Sequence, residues 1–126
     1  MKKKLVIAGI LMLCIVLIVV LWPTHRINAK QVESISAGGQ HSSQQDIKKF
    51  VKLFNAAKYK GKDVGYGTTP EWVVGVHFIG GNYILLHRYG NYNFLIVHYV
   101  DGKQTDETYF INSQKLYEFI LELQER

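Results

Sequence analysis

The sequence predicts an α+β domain: a four-stranded antiparallel meander with one helix before it and one after it, behind an N-terminal transmembrane helix. Three observations predict it. An uncharged apolar run extends from Leu5 to Trp22, two later segments carry apolar residues at helical spacing, and three turn signals divide the stretch between them into β-rich runs.

The apolar run follows Lys2, Lys3 and Lys4. As a helix it rises about 27 Å, close to the roughly 30 Å hydrocarbon core of a bilayer. The lysines stay in the cytoplasm by the positive-inside rule, Trp22 suits the interfacial aromatic belt, and Pro23 suits a helix end. The expected topology is single-pass in a bacterial cytoplasmic membrane, with the N-terminus inside and the C-terminal part outside. A cleaved secretory signal has a shorter apolar region followed by small residues, whereas "WPTHRINAK" follows here and offers only Ala29. A lipidated cysteine is also disfavoured, because Cys14 sits mid-run behind "LML". Residues 1–23 therefore read as an uncleaved signal-anchor, 24–29 as a linker, and 30–126 as the extracytoplasmic domain.

The formal charge of +5 suggests nucleic acid until it is divided between the two sides of the membrane. Setting aside the three targeting lysines leaves 12 basic residues against 10 acidic ones, a net of +2. That excludes a nucleic-acid signature. Cys14 is the only cysteine, so the exported part has neither disulfide nor thiolate chemistry and relies on an apolar core.

Residues 30–35 read as a short edge strand, and "SAGGQHSSQQ" as a polar loop. Ile47, Phe50, Val51 and Phe54 then form the stripe of an amphipathic helix reaching about Lys58, capped by Ser42 with Gln45 or by Ser43 with Asp46. "KYKGKDVGYGTTPE" reads as a connecting loop, too irregular for a phosphate loop. "EWVVGVHFI" opens the sheet, and the turns "GGN", "GN" and "DG" separate its four strands. Leu116, Phe119, Ile120 and Leu123 give the closing helix, capped at Asn112 or Ser113. The order is β-α-β-β-β-β-α.

Turn length sets which residues share a face. A three-residue loop at 80–82 and two-residue turns at 90–91 and 101–102 place Trp72, Val74, Val76, Phe78, Ile84, Leu86, Leu95, Val97, Tyr99 and Phe110 on a core face. The opposite face then gathers His77, Tyr83, Leu85, His87, Tyr89, Tyr92, Phe94, Ile96, His98, Glu107 and Tyr109. It is aromatic but wet.

In this register His77 and His87 lie about 8 Å apart, and His98 roughly 12 to 14 Å from either. Three ligands do not converge, and zinc needs at least a third, so no metal or other cofactor is assigned. No serine, cysteine or lysine can be placed beside a base on that face, so no catalytic residue is assigned either. Tyrosine is enriched at protein interfaces, and exposed apolar patches mark them. The binding candidates are Tyr83, His87, Tyr89, Tyr92 and His98. The lysine group Lys48, Lys49, Lys52, Lys58, Lys60 and Lys62 reads as a solvated helix face or as a dock for anionic lipid or wall polymer.

The order of a strand, a polar loop, a "DIKKFVKLFNAAK" helix, a "TPEWVVGVHF" strand, a meander and a closing "YFINSQKLYEFILEL" unit resembles small anchored or lipid-anchored exported proteins of Gram-positive bacteria. The resemblance covers about residues 30 to 124 and implies no catalytic residue. A helix packed on an antiparallel meander is also similar to the cystatin-like arrangement, which hosts inhibitors and binding modules. The expected function is a non-enzymatic protein-binding module of the cell envelope, its partner an envelope or secreted protein, with homodimerisation through the sheet compatible. The alternatives are an inhibitor or immunity-type protein and, third, an envelope hydrolase using His77 and His87.

Overall fold

The computed structural model of the chain describes residues 6–14, 25–61 and 72–126. Residues 6–14 are helical (α1) and exposed. No described helix is long and apolar enough to cross a membrane. The rest of the predicted span, Leu5 and residues 15–22, lies outside the described residues, as do Pro23 and residues 62–71 of the predicted connecting loop.

The domain is α+β, with a seven-stranded antiparallel sheet in place of the predicted four-stranded one. In chain order the elements are β1 (Val32–Ser36), β2 (Gln40–His41), α2 (Gln44–Ala56), β3 (Lys58–Gly61), β4 (Val73–Phe78), β5 (Tyr83–Arg88), β6 (Asn93–Val100), β7 (Lys103–Asn112) and α3 (Gln114–Glu125). Across the sheet the order is β2-β1-β4-β5-β6-β7-β3, so the predicted meander β4 to β7 sits in the middle. The strand predicted at 30–35 forms as β1, which pairs with β4, but it is not the predicted edge, because β2 lies outside it. Two short strands were hidden in predicted loops: β2 folds back on β1, and β3 pairs with β7. Neither has an alternating apolar pattern, because both are edge strands held mainly by backbone pairing.

Both long helices begin on a serine. The Ser43 hydroxyl accepts from the Asp46 amide at 3.1 Å, and the Ser113 hydroxyl accepts from the Leu116 amide at 3.1 Å, each relieving a donor at a helix start. The predicted stripes are buried in full: Ile47, Phe50, Val51 and Phe54 on α2, and Leu116, Phe119, Ile120 and Leu123 on α3. They pack together on one face of the sheet, against Val32, Ile35, Val74, Val76, Ile84, Leu86, Phe94, Ile96 and Ile111. The first turn of α2 meets the end of α3, where Arg126 binds both carboxylate oxygens of Asp46 at 2.8 and 3.0 Å. The Arg126 guanidinium holds the Asp46 carboxyl below its usual range.

The segment before β1 is clasped to the far end of α2. The Nε2 of buried His25 donates to the Phe54 carbonyl at 2.8 Å. Two residues on, the Asn55 side chain accepts from the Ile27 amide at 2.8 Å and donates to the Ile27 carbonyl at 2.9 Å. The His25 ring stacks on Tyr59 and meets Phe54 edge-on. Its Nδ1 has no hydrogen-bond partner, and burial pushes its pKa below the usual histidine value.

Candidate binding site

The faces of the sheet follow from its register, and here one turn overturns part of the prediction. The β4–β5 loop spans residues 79–81 and pairs Val76 with Ile84 and Val74 with Leu86. That shifts the predicted pairing by two residues and leaves every side chain on its predicted face. The β5–β6 loop instead spans Gly90 to Tyr92, with Tyr89 and Asn93 bonded across it. The predicted two-residue turn at 90–91 is therefore one residue short, and a one-residue slip turns all of β6 over. Phe94, Ile96 and His98 face the helices with Ile84 and Leu86; Leu95, Val97 and Tyr99 join Tyr83, Leu85 and His87 on the other side. Phe110 and Tyr109 exchange faces for the same reason, since Leu95 pairs with Phe110 and Ile96 with Tyr109.

The slip has a cost that the local sequence argues against. Asn91 and Tyr92 both adopt positive φ, 59° and 63°, a conformation that asparagine tolerates and tyrosine rarely does. The turn is held from outside: Asn112 donates to the Asn91 carbonyl at 2.7 Å and to the Asn93 side chain at 2.9 Å, and the Ser113 amide donates to the Tyr92 carbonyl. In this register Phe94, Ile96 and Ile111 are fully buried under the helices, which favours it over the alternative.

The five predicted binding residues consequently separate. Tyr83, His87 and Tyr89 occupy the face away from α2 and α3. His98 lies on the helix side, with its Nε2 3.4 Å from the Tyr109 hydroxyl and its Nδ1 4.0 Å from the Glu107 carboxylate. Burial lowers the His98 pKa, against the opposing pull of Glu107. Tyr92 sits in the turn, its ring 5.2 Å from Tyr117 of α3. His77 and His87 are also farther apart than predicted: His87 pairs with Val73, four residues along β4 from His77, a separation of about 14 Å. Among the described residues no three His, Cys, Asp or Glu side chains are grouped to hold a metal ion.

On the face away from α2 and α3 three rings form a ladder across adjacent strands. His77 lies 5.8 Å from Tyr83, which stacks on Tyr99 at 4.8 Å and 9° from parallel. All three are half-buried. Leu85 and Leu95 continue the face, and Tyr89 leans on buried Phe110 at 6.0 Å. The His77 ring reaches over Gly75, where a Cβ would stand 3.1 Å from Nε2, and bonds the Ser36 hydroxyl at 3.0 Å. This serine–histidine pair escaped the sequence reading because Ser36 lies on β1, 41 residues away. Among the described residues no carboxylate bonds to His77, the third group that would orient a base toward a nucleophile.

On the helix side, at the same end of the sheet, a cleft of about 1120 Å³ opens between residues 26–31, α2 and the β4–β5 loop. Ile27, Val51, Phe78, Ile84 and Val100 line it together with Asn55 and His98. Tyr83 and Tyr99 border both the cleft and the ladder. The cleft was not legible in the sequence, since the residues lining it come from five separate segments.

No protein-family model matches the chain, and neither curated protein sequences nor solved structures yield a match.

Proposed function

We propose that the protein is a membrane-anchored, extracytoplasmic binding module without enzymatic activity, which captures an envelope or secreted protein on the face of its sheet away from α2 and α3. The single observation that carries this reading is the His77–Tyr83–Tyr99 ladder, three half-buried rings side by side on a face to which neither α2 nor α3 contributes cover. Tyrosine supplies broad contact area at small conformational cost and keeps a hydroxyl for the wet rim, which suits a protein partner. Tyr83 takes the place at the centre of the site, with Tyr99 and His77 beside it. His98 and Tyr92 leave the binding set, because they face the helices and the turn.

The test is photo-crosslinking in cells, with a photoreactive residue replacing Tyr83 in the full-length protein and, as a control, replacing exposed Gln114 on α3. A discrete heterologous adduct at position 83 and none at 114 is the expected result. Adduct formation with a secreted toxin or hydrolase would make the module an inhibitor of that protein. A self-adduct, or no adduct at position 83, overturns the proposal.

A further inference from the structure

The outer side of α2 carries a basic surface that the ladder does not use. Lys48 and Lys52, one turn apart and both exposed, line a hollow of about 430 Å³ with Arg26, Ala29, Val51, Asn55 and Ala56. Among the described residues no aspartate or glutamate lines it. Two acidic residues near α2 are engaged elsewhere: Asp46 binds Arg126, and Glu122 binds Arg126 and Lys49. The surface therefore presents cations with no carboxylate set against Lys48 or Lys52 among the described ion pairs.

Its position is set by the clasp. His25 and Ile27 are bonded to Phe54 and Asn55 at the end of α2, so the chain enters the domain beside Lys48 and Lys52. Only Pro23 and Thr24 separate the apolar run ending at Trp22 from His25. Even fully extended, that stretch spans about 10 Å, close to a Debye length in physiological salt. Lysines held this close to an anionic surface are attracted to it, and the tether keeps them at high effective concentration.

We propose that the surface presented by Lys48 and Lys52 rests on the anionic phospholipid headgroups of the bilayer that anchors the chain. The inference depends on the reading of residues 5–22 as a membrane anchor. Because α2 and the ladder lie on opposite faces of the sheet, this docking turns His77, Tyr83 and Tyr99 away from the membrane and toward an incoming partner.

The test uses the full-length chain with Cys14→Ser and Gln45→Cys, a donor dye at position 45 and an acceptor dye on the lipid headgroups. Gln45 is exposed on the same side of α2 as Lys48 and Lys52. The protein is reconstituted in nanodiscs of phosphatidylcholine alone or with about a third phosphatidylglycerol. Energy transfer is expected to be higher in the anionic discs and to fall to the phosphatidylcholine level in Lys48→Glu/Lys52→Glu and at about 0.5 M salt. A melting temperature matching the parent certifies the charge-reversed variant; if it fails to fold, Lys48→Gln/Lys52→Gln is expected to give the same loss. Equal transfer in the two lipids overturns the docking while leaving the anchor intact. So does a lysine-dependent response seen only on adding a poly(glycerol phosphate) polymer. Failure of the chain to co-elute with any disc overturns the anchor reading and the docking with it.

Discussion

The rings of Tyr83 and Tyr99 face each other across the β5–β6 pair, with centroids 4.8 Å apart and planes 9° from parallel. Directly opposed aromatic residues on one sheet face contribute beyond their buried area. A double-mutant cycle with Tyr83→Ala and Tyr99→Ala is expected to return a coupling of about 0.5 to 1.5 kcal/mol in urea unfolding. Additive effects would mean that the stack is incidental. Partner capture is expected to be lost in either single variant while the fold persists.

The β5–β6 turn depends on a residue outside it. Asn112→Ala removes both bonds that hold Asn91 and Asn93, and is expected to cost about 1 to 3 kcal/mol. Amide exchange at Tyr89 and Asn93, which are bonded across the turn, is expected to speed up before the rest of the sheet. Unchanged exchange there would show that packing alone sets the register.

Acidification is expected to destabilise the domain. Burial lowers the pKa values of His25, His87 and His98 below the ordinary value of 6.5. The unfolded chain therefore binds protons first as the pH falls, and the folded chain binds them only at lower pH. Stability from these groups is complete above about pH 6.5 and is lost progressively below it. Melting temperatures between about pH 7.5 and 5 check the sign, and His25→Gln is expected to give a shallower slope. A melting temperature that rises on acidification would contradict the assignment.

Gly38→Ala tests how the β1–β2 loop meets α3. Gly38 has a φ of 69°, and a Cβ there would stand 3.1 Å from the Gln124 Cα, which is backbone and cannot step aside. Both effects oppose the substitution, and a loss of about 1 to 3 kcal/mol is expected. Gly39→Ala, with open space around its Cβ, serves as the control in the same thermal unfolding series.

The helices were fully legible because each stripe has only one way to face a core: Ile47, Phe50, Val51 and Phe54 are all buried, as are Leu116, Phe119, Ile120 and Leu123. Strands β4 and β5 were legible too, since the loop between them differs from the predicted one by an even shift. Strand β6 was not, because "NFLIVHY" is apolar on both sides and either parity satisfies its pattern. Its turn was chosen by Phe94, Ile96 and Ile111 packing under α2 and α3, which lie outside the hairpin, against the preference of Tyr92 for negative φ. The candidate site inherited that ambiguity. Tyr83, His87 and Tyr89 stand on the face expected for them, away from α2 and α3, while Tyr99, the partner that completes the ladder, was assigned to the core.

The two borders of the sheet have a consequence for crowding. One is β2, only Gln40 and His41 long; the other is β3, whose "KYKG" carries Lys58 and Lys60 and shifts register between Tyr59 and Gly61. A strand that is very short, and one that is bulged and cationic, are poor templates for another chain's backbone. Copies crowded at high local density would meet edge to edge, and borders of this kind let them slide past one another without growing into shared sheets.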